Sequence, residues 1–113
     1  MPYRRGDVVV VIWPNVDRKT YKQRPALIVQ ADNLNTGLRT RLCAIITTTP
    51  RTGDTCIQVA QRSVAGQQMS LQGDSVIMTD QLLVVPEPEI KKAIGRCTIM
   101  AQVDATLRKT LAL

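Results

Sequence analysis

The sequence predicts an α+β fold that is mostly β: a small, partly closed barrel with a short helix and a C-terminal amphipathic helix. Three observations predict it. Strand-length runs rich in β-branched and apolar residues come first, divided by turn clusters of Gly, Pro, Asn and Asp. The one long stripe at helical spacing comes last. A chain of 113 residues has room for one hydrophobic core, so residues 1–113 are expected to form a single domain. Strands followed by helices, with tight connections between the strands, favour a barrel with helical appendages.

Gly6-Asp7 is a turn that feeds Val8-Val9-Val10-Val11-Ile12-Trp13. A run that is apolar on both parities predicts a strand buried on both faces. Pro14-Asn15 ends it, and the polar, basic stretch from Asn15 to Gln23 reads as a surface loop. Arg24 to Gln30 is the second strand, with Pro25 tolerated near its start. The turn cluster Asp32 to Gly37 leads to a third strand, Arg39 to Thr47, with Leu42, Ala44 and Ile46 on one face. After the loop Thr48 to Asp54, Thr55 to Ala60 alternates as a fourth strand. Ser63 to Gly73 is rich in Gly and Gln and reads as a loop. Ser75 to Val85 is a fifth strand region interrupted by the polar Thr79-Asp80-Gln81. Pro86-Glu87-Pro88-Glu89 is expected to start a short helix that Gly95 stops. Thr98 then caps a helix with the stripe Ile99, Met100, Val103, Leu107 and Leu111.

Composition excludes several chemistries. The chain has no histidine, which removes Ser-His-Asp and Cys-His nucleophile sites and nearly all zinc sites. Neither a Walker-type phosphate loop nor a dinucleotide-binding glycine motif is present, and the acidic residues do not cluster, so neither metal nor cofactor is expected. The three cysteines, Cys43, Cys56 and Cys97, are widely spaced and odd in number, and read as reduced, buried hydrophobes. No apolar run approaches the roughly 18 residues of a membrane helix. The N-terminus carries Tyr3-Arg4-Arg5 rather than a signal-peptide core, so a cytoplasmic location is expected.

Fifteen Lys and Arg against nine Asp and Glu give a net charge of +6, which favours a polyanionic partner. Arg18, Lys19, Lys22 and Arg24 cluster between two strands, and Arg39, Arg41 and Arg51 bracket a third. Such a cluster is either a solvated face or a phosphate-binding one. The aromatic residues are Tyr3, Trp13 and Tyr21, too few for a stacking platform, although Trp13 and Tyr21 are each placed to stack one base at a loop edge. Trp13 closes an apolar strand, which favours a core role for it over stacking, whereas Tyr21 lies inside a basic loop.

Gly6-Asp7-Val8-Val9 followed by Gln23-Arg24-Pro25-Ala26-Leu27-Ile28-Val29 resembles the start of the MazF/PemK toxins. Ala44-Ile45-Ile46-Thr47 is similar to that family's third strand, which ends in threonine, and Asp74-Ser75-Val76-Ile77-Met78-Thr79-Asp80-Gln81 to its D-S-V-x-x-x-[DE]-Q block. The final amphipathic helix matches in position, and the likeness spans almost the whole chain in order.

The resemblance implies an SH3-like barrel of the MazF/CcdB type, a homodimer, and a toxin of a type II toxin–antitoxin system that cuts single-stranded RNA selectively without a metal. It also implies a cognate antitoxin, expected to bring an acidic disordered segment to the basic groove. By resemblance Arg24 and Thr47 carry the catalysis. A guanidinium fork matches the free oxygens of a pentacovalent phosphorus, and a threonine hydroxyl adds a donor or relays a proton. Arginine, with a pKa above about 12, makes a poor base near neutral pH. Asp80 is then the candidate base, or else an anchor for a loop. Trp13, Asn15, Arg18, Lys19, Tyr21, Lys22, Thr48 and Gln81 complete the expected RNA surface.

Two departures stand out. Asp17 to Lys22 is shorter and more basic than the G-S-E-Q stretch of many relatives, and Met78 stands where some relatives place a catalytic arginine, which favours the Arg24–Thr47 arrangement. A non-catalytic gyrase poison of the CcdB type on the same barrel is the alternative, as is an SH3-like module that binds RNA or protein without activity.

Overall fold

The computed structural model describes residues 3–14, 17 and 19–113, apart from the side chains of Trp13 and Pro14. Among these residues lie β1 (Asp7–Pro14), β2 (Tyr21–Ile28), β3 (Thr40–Thr47), β4 (Cys56–Val59), α1 (Val64–Gln68), β5 (Ser75–Pro86), a 3-10 turn (Glu87–Glu89), β6 (Ile90–Arg96) and α2 (Met100–Leu111). The six strands form one antiparallel sheet in the order β4-β5-β3-β2-β1-β6.

The valine run of β1 is buried on both parities, as expected. Val8 joins Leu27, Ala44, Ile46, Ile57 and Ile77 in a core that Val103 of α2 completes. Val9 and Val11 join Ala26, Ile28, Cys43, Val85 and Ile90 in a second core. Ile99, Met100 and Leu107 of the predicted stripe pack against the first core, whereas Leu111 at the end of α2 is half exposed. Cys43 and Cys97 are buried, Cys56 is half-buried, and all three are free thiols. Burial pushes the Cys43 thiol up to about 12.

Four expectations are corrected. The segment after Pro86 is not a helix stopped by Gly95: one 3-10 turn leads into β6, which pairs with the free edge of β1 from Asp7↔Arg96 to Val11↔Ile90. Edge pairing and the burial of Ile90 override the helix preference of Lys91-Lys92-Ala93. The stretch from Ser63 to Gly73 contains α1, capped by Ser63, whose Oγ accepts the N–H of Gly66 at 2.9 Å. Thr98 does not cap α2, whose N-cap is Ile99 with no side-chain bond. The second strand also starts earlier than expected, because β1 is long enough to pair Trp13 with Lys22 and Pro14 with Tyr21.

Two close approaches bring β6 to the end of α1. Ser70, in the left-handed region at φ 58°, donates from Oγ to the Ile94 carbonyl at 2.6 Å. Gly95 lies so near that a Cβ there would sit 2.4 Å from the Gln68 carbonyl oxygen. No helix among the described residues is long and apolar enough to cross a membrane.

Candidate active site

Arg24 sits in β2 opposite Val11, half-buried, one residue before Pro25. It lines a cavity of about 400 Å³ together with Gln23, Thr48, Ser70, Gln72, Ser75 and Lys92, over an apolar floor that includes Val10, Leu71 and Ile94. A second cavity of about 290 Å³ shares Thr48 and Ser75 with the first and continues past Gln58 and Asp74. The two adjoin at Thr48 and Ser75, and Arg24 and Lys92 give the first a basic wall.

Burial and position in the cavity, together with the absence of an ion pair among the described residues, distinguish Arg24. Among the described residues, Arg5, Arg41, Arg51 and Arg96 are each bridged to a carboxylate: Asp104, Glu87, Asp80 and Asp7 respectively. Arg24 and Lys92 have no such partner, and the Arg24 Nε is buried with no hydrogen bond among the described residues. A buried donor left unmade costs free energy, on the order of 1–3 kcal/mol. The Arg24 guanidinium brings to the cavity wall a charge that no carboxylate among the described residues neutralises.

The two threonines at the end of β3 differ. Thr48 is exposed on the cavity wall. Thr47 is half-buried, and its Oγ1 accepts the Thr49 N–H at 3.1 Å, which leaves the hydroxyl proton free to donate. Asp80 stands apart from the residues that line these cavities. The Arg51 guanidinium grips both its oxygens, at 2.7 and 2.6 Å, and holds its carboxyl below the usual carboxylate range.

Lys19, Tyr21, Lys22 and Gln81 are exposed, with Tyr21 65% accessible. Asp17 organises the approach to Tyr21 by accepting the N–H groups of Lys19 and Thr20 at 2.9 and 3.1 Å, bonds that lower its pKa. The proposed roles of Asn15 and Arg18, and of the Trp13 side chain, lie outside the described residues. Sequence reasoning missed Gln23, Ser70, Gln72, Ser75 and Lys92. The Lys91-Lys92 pair was a visible basic signal, but a helix assignment there hides that it faces β1.

Among the described residues no group of three or more His, Cys, Asp or Glu gathers at one place. The exposed lysines make a direct prediction about polyanion binding. Replacing Arg18, Lys19 and Lys22 together should flatten the slope of log affinity against log salt for a single-stranded RNA, by roughly 0.7 for each phosphate the protein no longer neutralises. An unchanged slope would mark these charges as a solvated face.

Comparison with known proteins agrees with this architecture. An endoribonuclease from a mycobacterial species, solved with its cognate antitoxin, superposes with a TM-score of 0.75 at 22% identity, covering 98% of this chain and 96% of that one. The Mycobacterium tuberculosis toxin MazF-mt6 gives a TM-score of 0.72 at 21% identity, over 95% of this chain and 97% of that one. The MazE–MazF complex of Deinococcus radiodurans gives 0.76 at 13% identity, over 100% of this chain and 99% of that one. These likenesses establish the fold as that of MazF. No curated protein sequence matches the chain. The family model for the PemK-like, MazF-like toxins of type II toxin–antitoxin systems matches residues 4–111, and the chain belongs to that family.

Proposed function

We propose that this toxin is a metal-independent endoribonuclease that cuts single-stranded RNA selectively, acts in the cytoplasm as a homodimer, and is neutralised by an antitoxin whose acidic disordered segment occupies the same groove. The observation that carries the reading is Arg24, which among the described residues bridges no carboxylate and keeps a buried, unsatisfied Nε, on the wall of a cavity it shares with Lys92.

In the proposed reaction the RNA's own 2′-oxygen forms a bond to the adjacent phosphorus while the bond from phosphorus to the 5′-oxygen breaks. The proton lost from the 2′-hydroxyl is matched by one gained at the leaving 5′-oxygen. The products are a 2′,3′-cyclic phosphate and a 5′-hydroxyl. Arg24 stabilises the negative charge that develops on the free phosphate oxygens. Thr47 supplies a hydroxyl donor, and Thr48, on the cavity wall, contacts the substrate. Lys92, which bridges no carboxylate among the described residues, adds a second cation at the same cavity.

One assay tests the reading. Purified protein in EDTA should cut a labelled single-stranded RNA and leave cyclic phosphate ends. The same RNA with 2′-deoxyribose at the cut site should bind and survive. Adding the cognate antitoxin should suppress binding and cutting together, and sedimentation at micromolar concentration should give a dimer. Cleavage of the deoxy substrate, or no cleavage of any RNA in EDTA, would refute the mechanism.

A further inference from the structure

The polar interruption of β5 holds a device that the chemistry above leaves unused. Between Ala44 and Ile45 the β3–β5 register slips from Leu82 to Met78, so Thr79, Asp80 and Gln81 form a bulge. Bulges re-aim side chains and persist where something holds them. Here Thr79, fully buried, donates from both its N–H and its hydroxyl to the Thr55 carbonyl, at 2.9 and 2.8 Å. Its Oγ1 also lies 2.8 Å from the Thr110 hydroxyl of α2.

The next residue, Asp80, takes both terminal nitrogens of Arg51 at 2.7 and 2.6 Å. Arg51 is held from its other side as well, because its carbonyl accepts Gln58 Nε2 of β4 at 2.6 Å. The loop that leaves β3 is therefore pinned at one residue from two directions. That loop begins with Thr48, which lines both cavities, and Gln58 lines the second of them. A bidentate pair fixes the orientation of a plane as well as a distance, which a single bond does not. The pair is partly exposed, with side-chain accessibilities of 39% and 26%, so it adds little to global stability. Its effect is local to the loop.

We propose that Arg51 and Asp80 are positioning residues that hold the Thr47–Thr48 end of β3 in register with Arg24, an assignment that rests on the ribonuclease reading above. Asp80, ionised and already committed to two hydrogen bonds, is an anchor and not the general base.

Two measurements on the full-length protein test this. In RNA cleavage, Arg51→Met and Asp80→Asn should each lower kcat about tenfold with KM changed less than twofold. The exchanged pair, Arg51→Asp with Asp80→Arg, should recover most of that loss. In hydrogen exchange, the amides of residues 47–49 and 51–53 should exchange about tenfold faster in each single variant while those of Leu42 to Ile46 keep wild-type rates. Asp80→Asn inactive beside a fully active Arg51→Met would make Asp80 the base and overturn the assignment. Unchanged exchange in the loop would also overturn it, whether or not RNA is cut. A wild-type protein that cuts no RNA, with the loop still loosened in the variants, would sink the ribonuclease reading instead.

Discussion

Arg24→Ala should lower RNA cleavage by about a thousandfold and remove toxicity, while the protein remains folded. Loss of one transition-state donor commonly costs a hundred- to a thousandfold, and Arg24 would supply both donors and charge. Stability should hardly change, because Arg24 bridges no carboxylate among the described residues and its Nε makes no bond that truncation would break. Arg24→Lys should fail nearly as badly, since an ammonium offers a point charge without the planar fork. Thr47→Ala should lose on the order of a hundredfold and Thr47→Ser should keep much of the rate. Single-turnover kinetics on one labelled RNA reads all four variants, with thermal melts as the control for folding. An Arg24→Ala protein that still cuts efficiently would leave the fold and remove the mechanism. A rate lost in Thr48→Ala and kept in Thr47→Ala would move the hydroxyl role one residue along the chain.

Gly95→Ala should destabilise the protein severely. Its added Cβ would lie 2.4 Å from the Gln68 carbonyl oxygen and 2.7 Å from the Met69 carbonyl carbon, both backbone atoms that cannot rotate away. Relief requires β6 to move off the end of α1, which strains the bond from Ser70 Oγ to the Ile94 carbonyl. Overpacking of this kind costs about 3 kcal/mol. For a chain of this size that lowers the thermal midpoint by about 12 °C. The same movement carries Lys92 and Ile94 away from the cavity they line, so activity per folded molecule should fall as well. Circular dichroism melts and cleavage rates measured well below the midpoint separate the two effects. A midpoint that stays at the wild-type value would show that α1 and β6 are not held together by this close approach.

The parts of the fold legible in the sequence are those where local chemistry and tertiary structure agree. Val8 to Val11 have β-branched side chains on both parities and lie between two cores, so propensity and burial speak together. The alternation in β3 and the stripe on α2 are legible for the same reason. The residues 90–96 are not, because Lys91, Lys92 and Ala93 suit a helix equally well and only the exposed edge of β1 decides the matter. The five residues of α1 are too few to show a period, and Gly66 weakens the signal further; Ser63 as a cap was the one visible cue. Thr79-Asp80-Gln81 is visible as a break in an apolar run, yet its meaning as a bulge needs the register of β3.

The candidate site divides in the same way. Arg24 stands out in sequence by its Arg-Pro setting, but its unsatisfied Nε is a property of packing alone. Arg51 reads in sequence as one of several charges around a strand. Its engagement with Asp80, 29 residues away, is invisible until the bulge brings the two together. Residues such as Ser70 and Gln72 carry no compositional signal, since their relevance comes only from the cavity they share with Arg24.

The burial of Cys43 has a consequence for the chemistry of damage. Oxidants and electrophiles attack the thiolate and scarcely touch the thiol. With a pKa of about 12, Cys43 is ionised in only about one molecule in 100,000 at pH 7. Cys97 is shifted in the same direction, again chiefly by burial. Peroxide or alkylating agents that inactivate enzymes through reactive sulfur would therefore find little purchase in either core, and the Arg24 site contains no sulfur for them to reach.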